Sequence, residues 1–362
     1  NNGGVANTAI TATTSGDITV EATTGTNTFT FTTVTAANGT ITLSSALGDI
    51  TAVALTTSNT ADKNIVVTVS AANQLFTHAS GAIATNGGDI TISADQITLS
   101  GGTIVSVAGD VRLRPTDTAT LIDIGATATD SDTVLGLTDA ELNTITTGSS
   151  NAIIVGATAV TGDMTVVGAL NLTSSGSANL VLETGNTAAG AIDDGTAGVG
   201  GNLITATNLA LSAVGGIDVN LAVTLVAAES TTSNNIRIDD TSTTNVSTFG
   251  GVTGISTVDG TVTLVSGGTI TLSSAITGGN SGAVSLTSTA GQINDGANDA
   301  TANITTGGAV SLTAASGIGV SNGTVDLDVV TVTLATSGTG GVALNLLDGN
   351  NGGVGSTAIT AT

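Results

Sequence analysis

The stretch Gly88-Asp89-Ile90-Thr91-Ile92-Ser93-Ala94-Asp95-Gln96-Ile97-Thr98-Leu99-Ser100-Gly101-Gly102-Thr103-Ile104-Val105-Ser106-Val107-Ala108-Gly109-Asp110-Val111-Arg112-Leu113 decides the fold. Apolar residues start short strands at Ile90, Ile97, Ile104 and Val111, in steps of seven residues. Three such steps make 21 residues, and at that interval Gly88-Asp89-Ile90 returns as Gly109-Asp110-Val111. Within a strand, alternation such as Ile90/Ile92, Ile97/Leu99 and Val111/Leu113 places two apolar side chains on one face. Three short faces followed by a return to the first describe one turn of a parallel β-helix.

The same phrase spreads along the chain. Phe29/Phe31, Ile41/Leu43, Met164/Val166, Leu170/Leu172, Leu180/Leu182, Ile236/Ile238, Val262/Leu264, Ile270/Leu272 and Val325/Leu327 are strands of this kind. The step is not constant: Ile18 to Ile41 is 23 residues and Val284 to Val310 is 26, so loops of varied length must bulge at the corners. The expectation is an all-β β-solenoid with about 20–25 residues per turn and short corner loops.

Composition fits a solenoid core. The 362 residues include 50 Gly, one Pro, no Cys, no Trp and no Tyr; aromatic residues are 1% and charged residues 9%. A globular core of this size normally relies on large aromatic anchors. Here Val, Ile, Leu and Ala must fill a narrow interior, and Thr, Val and Ile suit a pleated surface. Mean hydropathy is positive, yet no run of about 18 or more apolar residues exists to span a bilayer. Four Phe cannot supply the aromatic girdles of a membrane barrel. Net charge is −23, with Lys63, Arg112, Arg114 and Arg237 the only basic residues against 27 acidic ones. That charge excludes nucleic acid and anionic membranes as partners. Absence of Cys excludes a disulfide framework and thiol chemistry.

Longer repeats are nested over the short ones. Asn1–Thr13 and Asn350–Thr362 differ only at Ala6/Gly355 and Asn7/Ser356, a shift of 349. Residues 1–349 are expected to form one large repeat, with 350–362 the start of the next and the chain an excerpt of a longer parent. Gly190–Gly195 returns as Gly291–Gly296, Leu209–Ala213 as Val310–Ala314 and Gly216–Val219 as Gly317–Val320, each at 101. These define sub-repeats near 185–251 and 286–353. At 21 residues per turn a 349-residue repeat would hold some 16 or 17 turns, a rod roughly 80 Å long. Thr138 and Glu141 have capping-box spacing, with Leu137, Leu142 and Ile145 as an apolar edge, so 135–147 is expected to be a non-solenoid insertion with a short helical turn.

Gly16-Asp17-Ile18-Thr19-Val20, Gly88-Asp89-Ile90-Thr91-Ile92 and Gly268-Thr269-Ile270-Thr271-Leu272 resemble the repeats of filamentous-haemagglutinin-like surface proteins. The phrase Leu135–Ile145 resembles a linker found between repeats of giant bacterial β-strand-repeat proteins. The resemblance covers most of the chain. It implies a right-handed parallel β-helix, secretion, and a role at the bacterial cell surface in adhesion or envelope scaffolding. The partners expected are further copies of the repeat, end to end or bundled laterally, and surface glycans.

Sharper chemistry has fewer anchors. The chain is expected not to be an enzyme, although some polysaccharide-cleaving enzymes are β-helices: His78 is the single His, and a lone His is more often structural. Arg112 and Arg114 alternate on one strand and are expected to pair with acids rather than to face a polyanion. No cofactor is expected, with calcium as the one alternative. Its candidate ligands are Asp193, Asp194, Asp239, Asp240, Asp130, Asp132, Asp326 and Asp328, which would make the fibre a calcium-dependent stalk. Corner Asp residues more commonly satisfy turn backbone. Thr-x-Thr occurs at 11–13, 28–32, 40–42, 144–146, 261–263 and 331–333. It does not recur once per turn, so a flat ice-ordering array is not expected.

Overall fold

The computed structural model describes residues 8–14, 16–58, 62–172, 179–185, 190–196, 200–321, 323–338, 340–347 and 359–361. The chain forms two compact units, Asn1–Asn186 and Thr187–Thr362. Each is a parallel β-solenoid, the all-β parallel β-helix expected from the seven-residue step. No described helix is long and apolar enough to cross a membrane.

In the first unit three parallel ladders carry the stack. One runs Ile18, Ile41, Ile65, Ile90, Val111, Ile153, Leu180. A second runs Ile10, Val34, Leu55, Ile83, Ile104, Ile145. The third runs Phe29, Ile50, Phe76, Ile97. Ile90, Ile97 and Ile104 thus sit one on each ladder, and Val111 lies directly on Ile90. The first two ladders are columns of aliphatic side chains buried at their centres, and the third alternates Phe with Ile, with Phe76 fully buried. Removing such area from water is worth ~25 cal/mol per Å².

Corner chemistry explains the phrase Gly-Asp-Ile/Val. In all four cases the Asp accepts the backbone N–H of the residue just before the ladder partner of its own Ile or Val. Asp17 Oδ1 accepts from Thr40 (2.8 Å), Asp49 from Leu75 (2.9 Å), Asp89 from Asp110 (2.9 Å) and Asp110 from Ala152 (2.8 Å). The carboxylate supplies an acceptor at a corner, where the regular ladder bonds stop. Glycine precedes it because the corners stack closely: a Cβ on Gly109 would collide with the Gly88 backbone.

A second corner device lies inside. Where a strand ends on its inward side, a buried Ser or Thr turns back to the corner amide three residues on. Ser45 accepts from Gly48 N (3.0 Å), Ser106 from Gly109 N (2.9 Å), Thr257 from Gly260 N (3.2 Å) and Ser288 from Gly291 N (3.1 Å). This Ser/Thr-x-x-Gly spacing is visible in the sequence but is not part of the strand periodicity.

The Val111-to-Ile153 step is 42 residues, and it contains the insertion. Leu121–Ile124 and Val134–Leu137 pair in parallel, and the helix Asp139–Leu142 follows with the expected capping box and a buried Leu142. Ile145–Thr147 returns to the Ile104 ladder, and Leu121–Ile124 stacks in parallel on Met164–Val166 as well as on Val134–Leu137. The insertion's acids have a backbone role. Glu141 Oε1 accepts the Leu99 amide at 3.0 Å, and the Ile97 amide bonds to Asp130. The insertion therefore covers the edge of the Gln96–Thr98 strand with carboxylates.

In the second unit the longest ladder runs Ile192, Ile217, Ile236, Val262, Val284, Val310, Val332, Ile359. Two others run Thr244, Ile270, Ile293, Ile318, Val342 and Ala228, Ile255, Ile276, Ile304, Leu327, Leu346. The 101-residue sub-repeat has an unexpected position. Ile192 lies on the first of these ladders and Ile293 on the second, so 101 residues span a whole number of turns plus one face. Similar sequence thus serves different faces of one solenoid. Of the 349-residue match, residues 1–7, 350–358 and 362 lie outside the described residues.

Over the described residues the stacked strands make about 14 turns, where 16 or 17 were expected. Steps of 23, 24 and 25 residues (Ile18, Ile41, Ile65, Ile90) and the 42-residue step are the cause, because longer corners use residues without adding levels. Ser106 is fully buried and also donates to Gly88 O at 2.9 Å. Ser106→Ala is expected to cost about 1–3 kcal/mol in chemical denaturation by leaving the Gly109 amide without its acceptor, while Gly88 O keeps the Thr85 hydroxyl; Ser106→Thr, the residue used at the Thr257 corner, should keep most of that stability.

Candidate functional site

Among the acidic candidates read from the sequence, strand parity separates Asp193 from Asp194. Adjacent residues of a strand point to opposite faces, so Asp193 is exposed while Asp194 is fully buried at an inward corner. Asp194 accepts from Thr196 N (3.2 Å), Thr196 Oγ1 (3.1 Å) and Asn220 Nδ2 (2.7 Å). Asp193 accepts from Gly195 N at 2.6 Å. Asp240 repeats the inward arrangement with Ser242 N (2.9 Å), Ser242 Oγ (2.8 Å) and Thr244 Oγ1 (2.9 Å), and burial raises its pKa above the usual carboxylate value. Asp239 pairs with Arg237 at 2.7 Å.

Asp326 is buried and accepts from Asn345 Nδ2 at 2.6 Å, while its own amide donates to Asn303 Oδ1 at 2.8 Å. Asn303 in turn donates to Asp295 Oδ1 at 3.0 Å. Asp328 lies half-buried beside Thr305, and Asp132 is exposed. Among the described residues no three His, Asp or Glu side chains gather in a metal-binding arrangement. The eight candidates are therefore not brought together; most of those with a resolved partner bond corner backbone and hydroxyls.

Sequence reasoning missed Asp295, Asn303, Asn220 and Asp95. A signal existed for Asp295: it ends a strand as Asp240 does, and it accepts the amide two residues on, from Ala297 at 2.9 Å. Asp95 gave none. It is buried and collects Asn73 N, Thr116 N, Thr116 Oγ1 and Asp117 N, contacts that only the stacking of turns creates.

His78 is fully buried, its Nδ1 2.8 Å from Ala52 O and Nε2 3.2 Å from Thr103 O. The ring bridges three successive turns, and Gly102 leaves the space for it, since a Cβ there would fall on the imidazole. Arg112 pairs with Glu183 at 2.6 Å and donates to Gly156 O at 2.9 Å, as expected of it. Arg114 departs from the expectation. Among the described residues it makes no ion pair, and its Nε donates to Ser93 Oγ at 2.9 Å.

Two concave regions stand out. A groove of about 420 Å³ in the second unit is lined by Asp193, Asp218, Asn234, Asn235, Arg237 and Thr263. Its outward row Asp193, Asp218, Arg237, Thr263, Ser285 is mixed rather than a Thr array. A smaller cavity of about 190 Å³ in the first unit holds Arg114. No family model, no curated protein and no solved structure matches the chain.

Asp130 is the most strongly perturbed acid. Burial, reinforced by the charge of Glu141, raises its pKa to about 6, against the lowering effect of the Gly136 and Ile97 amides. Its folded pKa lies above the unfolded value of 3.8, so the folded state holds the proton more tightly. Its contribution is complete below about pH 4 and is lost as pH rises through about 6. In thermal unfolding, the wild-type protein should lose stability relative to Asp130→Asn between about pH 4 and 6.5. A difference that stays flat with pH would count against this assignment.

Proposed function

We propose that the chain is a non-catalytic structural unit of an extracellular fibre, part of a giant repetitive bacterial surface protein of the filamentous-haemagglutinin-like kind. Tandem copies continue one β-solenoid end to end and serve adhesion or envelope scaffolding. One observation carries the reading. The strand Ile359–Ala361 repeats Ile10-Thr11-Ala12 and pairs in parallel with Val332, Thr333 and Leu334. The same three residues at Ile10–Ala12 pair with Val34, Thr35 and Ala36. A repeat's opening strand thus accepts a ladder partner from the turn before it in one setting and from the turn after it in the other. Both partners can be used at once when repeats are joined.

Other features support the reading. Stacked turns satisfy backbone groups internally and leave open edges only at the ends of the stack. The single His is held between carbonyls in the core, and most acids with a resolved partner are committed to corners. Net charge of −23 per chain keeps such a rod soluble and opposes lateral packing at low ionic strength.

The test is to image chains carrying one, two and three copies of the 349-residue repeat by electron microscopy. Each copy should lengthen a rod of constant width by roughly 70 Å, the product of its turns and the strand spacing. Flexibly tethered lobes of fixed length would sink the end-to-end reading.

A further inference from the structure

We propose that the cavity beside Arg114 is a binding site for a single carboxylate-bearing sugar. Arg114 ends the strand Val111–Arg114 and lies in register with Ser93, Thr68 and Ser44 of the preceding turns. It therefore stands at the end of a column of hydroxyls. Among the described residues only Nε is engaged, by Ser93 Oγ at 2.9 Å, and Arg114 lines the cavity. In a chain with 27 acidic residues, an arginine without an acid partner is conspicuous. Arg112, two residues away, takes Glu183, and Arg237 takes Asp239.

Among the described residues neither nearby acid pairs with Arg114: Asp117, three residues on, accepts the Ala119 amide at 3.0 Å. Asp95 belongs to the turn beneath, but four donors from residues 73, 116 and 117 occupy it, and that same network fixes the loop after Pro115. Thr116 Oγ1 also reaches Val69 O at 2.9 Å, tying the loop two turns back. The cavity wall is thus built before any ligand arrives. Thr68, Ser93 and Thr118 contribute hydroxyls, and Ala157 and Val160 close one side with small apolar surface.

This chemistry selects its ligand. A guanidinium fork matches a planar carboxylate in a bidentate pair. Ser and Thr hydroxyls exchange hydrogen bonds with ring hydroxyls, and the alanine and valine side accepts the C–H face of a ring. About 190 Å³ is below the ~300–1,000 Å³ of a drug-sized pocket, so one ring fits rather than an oligomer. Repulsion from the rest of the chain is screened beyond ~8 Å at physiological salt. Single-site affinity is weak, and repetition along a fibre would raise avidity. Only that last step rests on the fibre reading; the site itself does not.

Calorimetric titration of the chain at about 0.15 M salt with glucuronate, glucose and inorganic phosphate tests the proposal. Glucuronate should bind saturably at one site, with glucose and phosphate weaker by at least about tenfold, the worth of a charged hydrogen-bonded pair. Arg114→Gln should weaken glucuronate by a similar factor, with Arg114→Lys intermediate because it keeps charge but loses the fork. Thr118→Val, on the exposed rim, should lower affinity without moving the melting temperature. Saturable binding unchanged in Arg114→Gln, equal binding of glucose or phosphate, or no saturable glucuronate binding would each overturn it.

Discussion

Backbone amides of this chain find their partners one turn away, and the whole structure depends on keeping that register through the corners. Along a face the parallel ladder is self-sufficient wherever a strand has a like strand above and below; the Gln96–Thr98 strand, whose edge the insertion covers, is an exception. At a corner the chain changes direction and the regular pattern lapses. An N–H left there without an acceptor costs about as much as a hydrogen bond lost from the ladder. Two side-chain devices restore the account: Asp17, Asp49, Asp89 and Asp110 outside, and Ser45, Ser106, Thr257 and Ser288 inside.

The excess of acid has a structural origin on this view. Carboxylates are acceptors only, which is what a corner amide needs. The Thr40 amide lowers the pKa of Asp17 below the usual value, while burial raises that of Asp240. Stability at the outer corner of Asp17 is therefore retained above the ordinary carboxylate range and lost as pH falls through its lowered value. Asp240, at an inward corner, behaves in the opposite sense. The negative surface that results also explains why a lone cation such as Arg114 acquires meaning.

Where the ladder is interrupted, the same rule governs. The 42-residue step between Val111 and Ile153 replaces a simple corner with paired strands and a four-residue helix. Glu141 closes the capping box at Thr138 and simultaneously accepts the Leu99 amide. One side chain thus serves both the local helix and the neighbouring sheet edge. The Arg114 cavity opens beside this interruption, between the loop after Pro115 and the Ala157–Val160 segment.

Periodicity along the chain determined the faces of the solenoid: Ile90, Ile97, Ile104 and Val111 fall where the seven-residue step puts them, because inward apolar positions are a local property of a strand. The capping box at Thr138 and Glu141 was legible for the same reason, being a contact over three residues. The tertiary structure alone decided which turn lies on which. Corner length varies from step to step, so neither the number of turns nor the displacement of the 101-residue repeat by one face follows from local pattern. It also decided the fate of chemically identical residues: Arg112 meets Glu183 across 71 positions, and among the described residues Arg114 meets no acid. Such pairings depend on register between turns, which sums the lengths of all the corners between them.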